Sequence, residues 1–125
     1  MQKFTDHSLK EYCRELSAKT PVPGGGSAAA LSAAVAVSLI AMVARYSLGK
    51  SGDASVDSKI NGLLHKAEQI RDRMLELVDE DAQAYLGVVK AKQGTPAEKR
   101  KALKAAGRVP KELGRLCARA VNLTP

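Results

Sequence analysis

The chain has 125 residues and a formal net charge of +7, from 20 basic and 13 acidic side chains. Hydrophobic residues make up 45% of the sequence, but only 3% is aromatic and tryptophan is absent. This length fits one domain, residues 1–125, with a core of Ala, Leu, Val and Ile. The two cysteines, Cys13 and Cys117, are far apart and no secretory leader precedes them, which favours reduced thiols in the cytoplasm over a disulfide-rich secreted protein.

Helical periodicity predicts an all-α protein. The first helix is expected at about residues 7–18, where four residues recur at helical spacing: Leu9, Tyr12, Cys13 and Leu16. Asp6 or Ser8 can cap its start. No segment shows the alternation that is typical of a strand, and no internal repeat is present.

Residues 20–31 read TPVPGGGSAAAL and form the most informative segment. The two prolines make the approach stiff and extended, and Ser27 follows the glycines in a favourable N-cap position. Gly24, Gly25 and Gly26 cost conformational entropy, which indicates that something comes close to their backbone. That group is either a crossing helix or an anion at the N–H groups of a helix start.

The second helix is expected from Ser27 to about Leu48, with Gly49 as its C-cap candidate. It is the long, Ala-rich central helix of the bundle, with neighbours on most faces. One stripe carries large side chains (Leu31, Val35, Leu39, Met42 and Tyr46) and another carries small ones (Gly26, Ala30, Ala34 and Ser38). Residues 28–44 carry no charge, but eight of these 17 are Ala, so a buried helix is favoured over a membrane span.

A third helix is expected at about residues 56–92. Its apolar stripe passes Met74, Leu77 and Val78 and continues at Tyr85, but position 81 carries a carboxylate, Asp81. A buried carboxylate needs a partner, a ligand or a proton, and one with a raised pKa can act as a general acid or base. The alternative is a structural Asp that caps a neighbouring helix or pairs with it. Asp79 is expected on the solvated face.

The fourth helical stretch, about residues 96–122, begins with a capping box formed by Thr95 and Glu98. Pro110 lies inside it and is expected to kink it or split it in two. Six basic residues share one of its faces: Arg100, Lys104, Arg108, Lys111, Arg115 and Arg119. A solvated face is the default interpretation, and a polyanion track is the functional one.

Arg45 and Lys50 lie at the far end of the second helix, where they complement its dipole or bind an anion. The histidines and cysteines are scattered, so no metal site is predicted.

The segment Thr20–Leu31 resembles the signature of the cyclodeaminase/cyclohydrolase family, which includes formiminotetrahydrofolate cyclodeaminases and methenyltetrahydrofolate cyclohydrolases. The similarity continues through residues 42–45 (MVAR), Gly49-Lys50, residues 79–85 (DEDAQAY) and Val109-Pro110. It covers most of the chain. The resemblance implies an all-α helical domain that dimerises and binds a folate, with or without a polyglutamate tail.

The family's reactions close or open a one-carbon bridge between N5 and N10 of tetrahydrofolate. They need proton transfers through a tetrahedral intermediate, but no metal and no cofactor besides the folate substrate. The resemblance therefore implies that Asp81 transfers protons and that Arg45 and Lys50 contact the substrate. It also implies a substrate-binding wall of the residues Gly24, Gly25, Gly26 and Ser27.

Typical members of the family continue into further helices, which this sequence is expected to lack. Two alternatives therefore stay open: a non-catalytic helical module that binds folate or a protein, and a basic helical nucleic-acid binder. The residues do not separate the deaminase from the hydrolase, and they leave the role of the basic stripe undecided.

Overall fold

In a computed structural model that describes residues 2–123, four α-helices follow a short 3-10 turn, Phe4–Asp6. The helices are α1 (Leu9–Leu16), α2 (Gly25–Ser47), α3 (Ala54–Ala91) and α4 (Pro96–Val121). No strand occurs among residues 2–123, so the predicted all-α class is confirmed. Every predicted helix is present, and each boundary lies within about two residues of its predicted place.

Local capping explains where the helices begin and end. The Ser8 hydroxyl accepts from the N–H of Glu11 at 3.1 Å, and the Thr95 hydroxyl accepts from the N–H of Glu98 at 3.2 Å. Gly49 follows the end of α2 with φ +79°, a left-handed conformation that favours glycine. Ser8 and Thr95 are confirmed as N-caps, whereas the C-cap of α2 is Leu48 and Gly49 is the residue after it.

Two predictions about helix interiors need correction. Ser27 is not an N-cap: Gly24 holds that position in extended conformation, and Ser27 lies inside the first turn with no exposed surface. The helix starts earlier because glycine tolerates the N-cap conformation and leaves Ser27 free to face inward. Pro110 does not split α4, which runs through it without interruption.

Helices α2 and α3 form an antiparallel pair. The start of α2 lies against Asp81 of α3, and Arg45 near its other end pairs with Glu68. The small stripe of α2 faces α3, and Ala30 and Ala34 are fully or almost fully buried. Side chains of one carbon let the two backbones approach closely, and the larger core residues of α3 fill the space beside them. Those residues are Ile70, Met74, Leu77 and Val78.

Helix α4 packs on another side of α3 through Val109, Leu116 and Ala120. Arg73 of α3 fixes their relative position. Its Nε lies 2.5 Å from Glu112 of α4, and the same guanidinium contacts Glu80 and Glu76 of α3. These three carboxylates raise the pKa of Arg73 above its ordinary value. The bidentate contact to Glu112 sets the register of α4 against α3.

The large stripe of α2 is not covered within one chain. Val35, Leu39, Met42 and Tyr46 are 46–70% exposed, so the expected neighbours on most faces of α2 are absent from the described residues. Among residues 2–123, α2 is long and apolar enough to cross a membrane by length and composition, and a third of its most apolar window is buried. The core helix of a soluble protein has the same length and composition.

Met74 should dominate the stability of the core, because it is fully buried where α2, α3 and α4 meet. We expect Met74→Ala to lower the free energy of unfolding by about 2–5 kcal/mol, through lost transfer energy and the cavity left behind. Leu103→Ala is the matched control, since Leu103 of α4 is 60% exposed; it should change stability by less than about 0.5 kcal/mol. Urea unfolding followed by circular dichroism measures both, and equal losses would contradict the described core.

Candidate active site at the start of helix α2

The candidate site forms where the first turn of α2 meets Asp81 of α3. A Cβ built on Gly26 would lie 2.6 Å from Cγ of Asp81 and 2.7 Å from its Oδ2, and would overlap Oδ1 as well. No real Cβ comes so close to another atom. Glycine at position 26 is therefore what allows the Asp81 carboxyl group to lie against the backbone of α2.

The carboxyl group also uses the hydrogen-bonding capacity of that turn. The backbone N–H of Ser27, next to the contact with Gly26, acts on the Asp81 carboxylate as a donor that lowers its pKa. First-turn N–H groups have no partner within their own helix, and the helix dipole favours negative charge there. The anion that the glycine segment was expected to bind is thus supplied by the chain itself, as Asp81.

Ser27 is held from the other side by Tyr12 of α1. The two hydroxyl oxygens lie 2.8 Å apart, Ser27 has no exposed surface and Tyr12 is 4% exposed. Burial raises the pKa of Tyr12, and the nearby charges of Asp81 and Asp79 raise it further, against the opposing effect of the hydrogen bond with Ser27. Tyr12 is therefore a neutral phenol at physiological pH.

Two opposing effects act on Asp81. Burial raises its pKa, because a half-buried carboxylate has lost part of its hydration, and the Ser27 N–H offsets part of that rise. A carboxyl group of this kind exchanges a proton more readily near neutral pH than an exposed Asp does. The position of Asp81 on the buried side of α3, predicted from its place in the apolar stripe, is confirmed; a catalytic role stays a prediction.

Asp79 has a structural role, so the prediction that it lies on the solvated face needs correction. Its two carboxylate oxygens accept from the backbone N–H of Phe4 at 2.6 Å and from the hydroxyl of Thr5 at 2.7 Å. Asp79 thereby fastens the N-terminal turn to α3 beside the candidate site. The pattern missed this because neither Phe4 nor Thr5 belongs to a periodic segment.

The other two glycines have different surroundings. A Cβ on Gly25 would meet nothing within 4 Å, and one on Gly24 would make only an ordinary contact with the carbonyl of Pro21, at 3.8 Å. Space therefore demands glycine at Gly26 alone. Gly24 and Gly25 leave a stretch of backbone uncovered next to Asp81, and their predicted role in substrate binding stays a prediction.

Arg45 and Lys50 lie away from this site within one chain. Arg45 lies nineteen positions after Gly26 in α2, which is about 28 Å of helix. Arg45 pairs with Glu68, with the two atoms 2.5 Å apart, and Lys50 is exposed in the following turn. One chain does not bring these two predicted ligands to Asp81.

Two polar clusters lie outside the candidate site. All six residues of the basic stripe of α4 are exposed, and none of them forms an ion pair within residues 2–123. His7, Glu11 and Glu15 offer ligand atoms within 4.8 Å of one another, a group that sequence reasoning missed. His7 already hydrogen-bonds Glu15 at 2.6 Å, and Glu11 is exposed, so this group resembles an ordinary surface network.

Sequence reasoning also missed the contribution of Tyr12, which was assigned to the apolar face of α1. The one available signal was a phenol placed among apolar positions, because a buried hydroxyl needs a partner.

Comparisons with known proteins agree with this arrangement. A family model described as formiminotransferase-cyclodeaminase matches residues 8–125. The chain is 35% identical to a formimidoyltransferase-cyclodeaminase of Rattus norvegicus over 78% of its length, and 28% identical to a methenyltetrahydrofolate cyclohydrolase of Methylorubrum extorquens over 94%. A crystal structure of formiminotetrahydrofolate cyclodeaminase from Thermotoga maritima superposes with TM-score 0.85, at 32% identity over 89% of this chain.

The chain is shorter than each of these proteins. It spans 19% of the rat protein, 62% of the Methylorubrum extorquens protein and 56% of the Thermotoga maritima chain.

Gly26 and Gly25 provide a matched test of the contact between α2 and α3. We expect Gly26→Ala to be about 1–3 kcal/mol less stable than Gly25→Ala in urea unfolding, because only the former inserts a methyl group into occupied space. The double variant Gly26→Ala/Asp81→Ala should recover most of that loss, since the clashing carboxyl group is gone. Equal stability of the two glycine variants would contradict the close contact.

Proposed function

Since the chain belongs to the formiminotransferase-cyclodeaminase family, we propose that it acts on a one-carbon derivative of tetrahydrofolate. It either converts 5-formiminotetrahydrofolate to the 5,10-methenyl form with loss of ammonia, or hydrolyses the 5,10-methenyl bridge. The observation that carries this proposal is the half-buried Asp81 carboxyl group, seated on the first turn of α2. The names of the relatives point to the same two reactions.

Asp81 supplies the proton transfers in this proposal. In cyclodeamination, N10 attacks the formimino carbon, and the amino group leaves as ammonia once it is protonated. In hydrolysis, water adds to the bridge carbon and loses a proton before the bond to N5 breaks. Both routes pass through a tetrahedral intermediate, so one carboxyl group that gives and takes a proton serves either. No metal and no cofactor beyond the folate is invoked.

The uncovered backbone beside Asp81 supports the placement of the substrate there. Gly24 and Gly25 present no side chain, so a flat ring can approach the chain closely at this point. Ser27 faces inward and its N–H is committed to Asp81, so in this proposal it holds the catalytic group. We place the reaction in the cytoplasm, consistent with two free cysteines.

A second copy of the chain can provide the two distant ligands. The exposed stripe Val35, Leu39, Met42 and Tyr46 has the alternating spacing of four and three residues that suits helix pairing. An antiparallel arrangement of two α2 helices is favoured by their dipoles, whereas a parallel one would bring like charges together at Arg45. Overlapped over the whole of α2, such a pair sets Arg45 of one copy level with Ser27 of the other; centred on the exposed stripe, it sets Arg45 level with Ala36, about 14 Å further along the helix. The homodimer is therefore part of the proposal.

Asp81→Asn tests the catalytic assignment. We expect turnover of both 5-formiminotetrahydrofolate and 5,10-methenyltetrahydrofolate to fall by about 100-fold or more, because the amide cannot exchange the proton. The fold should persist, since Asn keeps the shape and can still accept from the Ser27 N–H. Asp72→Asn, a change on the exposed face of α3, is the control and should retain activity.

A folded Asp81→Asn variant with wild-type turnover would overturn the catalytic role. Wild-type protein that binds both folates in calorimetry but turns over neither would favour the alternative of a non-catalytic folate-binding module.

Leu39→Glu tests the homodimer. A carboxylate in the middle of the exposed stripe should raise the dimer dissociation constant at least about tenfold, because pairing would bury that charge, and turnover should fall with it. Leu103→Glu is the control, because Leu103 is comparably exposed on α4. Sedimentation velocity measures the oligomeric state, and a dimer that survives Leu39→Glu would place the interface elsewhere.

A further inference from the structure

The buried hydrogen bond between the side chains of Tyr12 and Ser27 lies behind the candidate catalytic group, and the proposed chemistry does not use it. Ser27 follows Gly26, which lies against the Asp81 carboxyl group, and its own N–H lowers the pKa of that group. Its side chain hydrogen-bonds Tyr12, so one residue connects α1 with the carboxyl group of α3. Both side chains are almost completely buried, so water does not compete for their hydrogen bond.

We propose that Tyr12 is a positioning residue that acts through Ser27: its hydroxyl anchors the first turn of α2, which keeps the Ser27 N–H aimed at the Asp81 carboxylate. This inference rests on the proposed function for its catalytic meaning. The effect of Tyr12 on the protonation of Asp81 is present in the protein without substrate as well.

The anchor matters because the first turn of α2 has little else to hold it. Gly24, Gly25 and Gly26 contribute no side chain, and Gly24 caps the helix without a side-chain hydrogen bond. Ser27 is the first residue of the helix with a side chain, and its hydroxyl hydrogen-bonds Tyr12. Pro23 ahead of the glycines is buried and cannot donate from its nitrogen.

The surroundings of Asp81 make its protonation sensitive to that one N–H. From α1 it is faced by the neutral phenol of Tyr12, and the part of α2 beside it, residues 24–44, carries no ionisable side chain. On its own helix Asp79 is held by Phe4 and Thr5, while Glu80 is paired with Arg73. No cation lies among the groups that act on Asp81, so burial and the Ser27 hydrogen bond decide its pKa.

The direction of the effect follows from these groups. A hydrogen bond donated to a carboxylate favours its charged form and holds its pKa down. Removing the Tyr12 hydroxyl lets the first turn of α2 shift and weakens the hydrogen bond from the Ser27 N–H to Asp81. The effect of burial, which raises the pKa of Asp81, is then no longer offset. The pKa of Asp81 should then rise.

The experiment follows the Asp81 carboxyl carbon by NMR during a pH titration, with the resonance assigned through Asp81→Asn. We expect Tyr12→Phe and Ser27→Ala each to move the titration midpoint upward, and the double variant to move it no further than either single one. Ser38→Ala is the control, because the Ser38 hydroxyl bonds the carbonyl of Ala34 in the same helix, away from Asp81. It should leave the midpoint unchanged.

A Tyr12→Phe variant that loses stability but keeps the wild-type midpoint would overturn the inference, because Tyr12 would then only pack α1 against α2. If Tyr12→Phe does not fold, Ser27→Ala alone decides, with an unchanged midpoint again overturning it. The titration needs no substrate, so it is separate from turnover. If the wild-type protein turns over folate but the variants leave the midpoint unchanged, only this inference fails. If the variants shift the midpoint but the wild-type protein shows no turnover, only the proposed function fails.

Discussion

The contact between Gly26 and the Asp81 carboxyl group is the constraint on which the arrangement of α2 and α3 depends. It requires a backbone without a side chain at one position of α2 and a carboxylate at one position of α3. Once these two meet, the antiparallel register of the pair is set, and the small stripe of α2 falls on the large core residues of α3. The site is therefore built from the same packing that stabilises the fold, and the two cannot be altered independently.

The same contact explains why a carboxylate is tolerated at position 81, where the apolar pattern of α3 predicts a hydrophobic residue. Burial alone would make the charged form costly, whereas a helix start offers unpaired N–H groups and a favourable dipole. Asp81 takes the N–H of Ser27, and its pKa remains raised because a single hydrogen bond compensates burial only in part. The raised pKa makes Asp81 easier to protonate than an exposed Asp, which suits a group that gives and takes a proton.

Much of this was accessible from the sequence, and the rest was not, for physical reasons that differ from residue to residue. Helical spacing located all four helices, and the interruption of the α3 stripe singled out Asp81, because both signals are periodic and local. Ser27 was misassigned because an N-cap and a buried first-turn serine look alike in sequence, and only Tyr12, fifteen residues away, distinguishes them. Asp79 was misassigned for the same reason, since its partners Phe4 and Thr5 are more than seventy residues distant.

The small stripe of α2 packs against α3, whereas the large stripe is exposed. This arrangement limits where a charged ligand can bind. The small stripe brings Asp81 to the first turn of α2, so the anion position at that helix start is already filled by the chain itself. A ligand carboxylate placed there would face the charge of Asp81 at close range and would be repelled. A substrate must then present a neutral or cationic part to Asp81 and direct its anionic groups elsewhere. For the proposed substrate, the positively charged bridge carbon of a methenyl or protonated formimino folate suits Asp81. Its glutamate tail requires cations, which lie at the other end of α2 as Arg45 and just beyond it as Lys50.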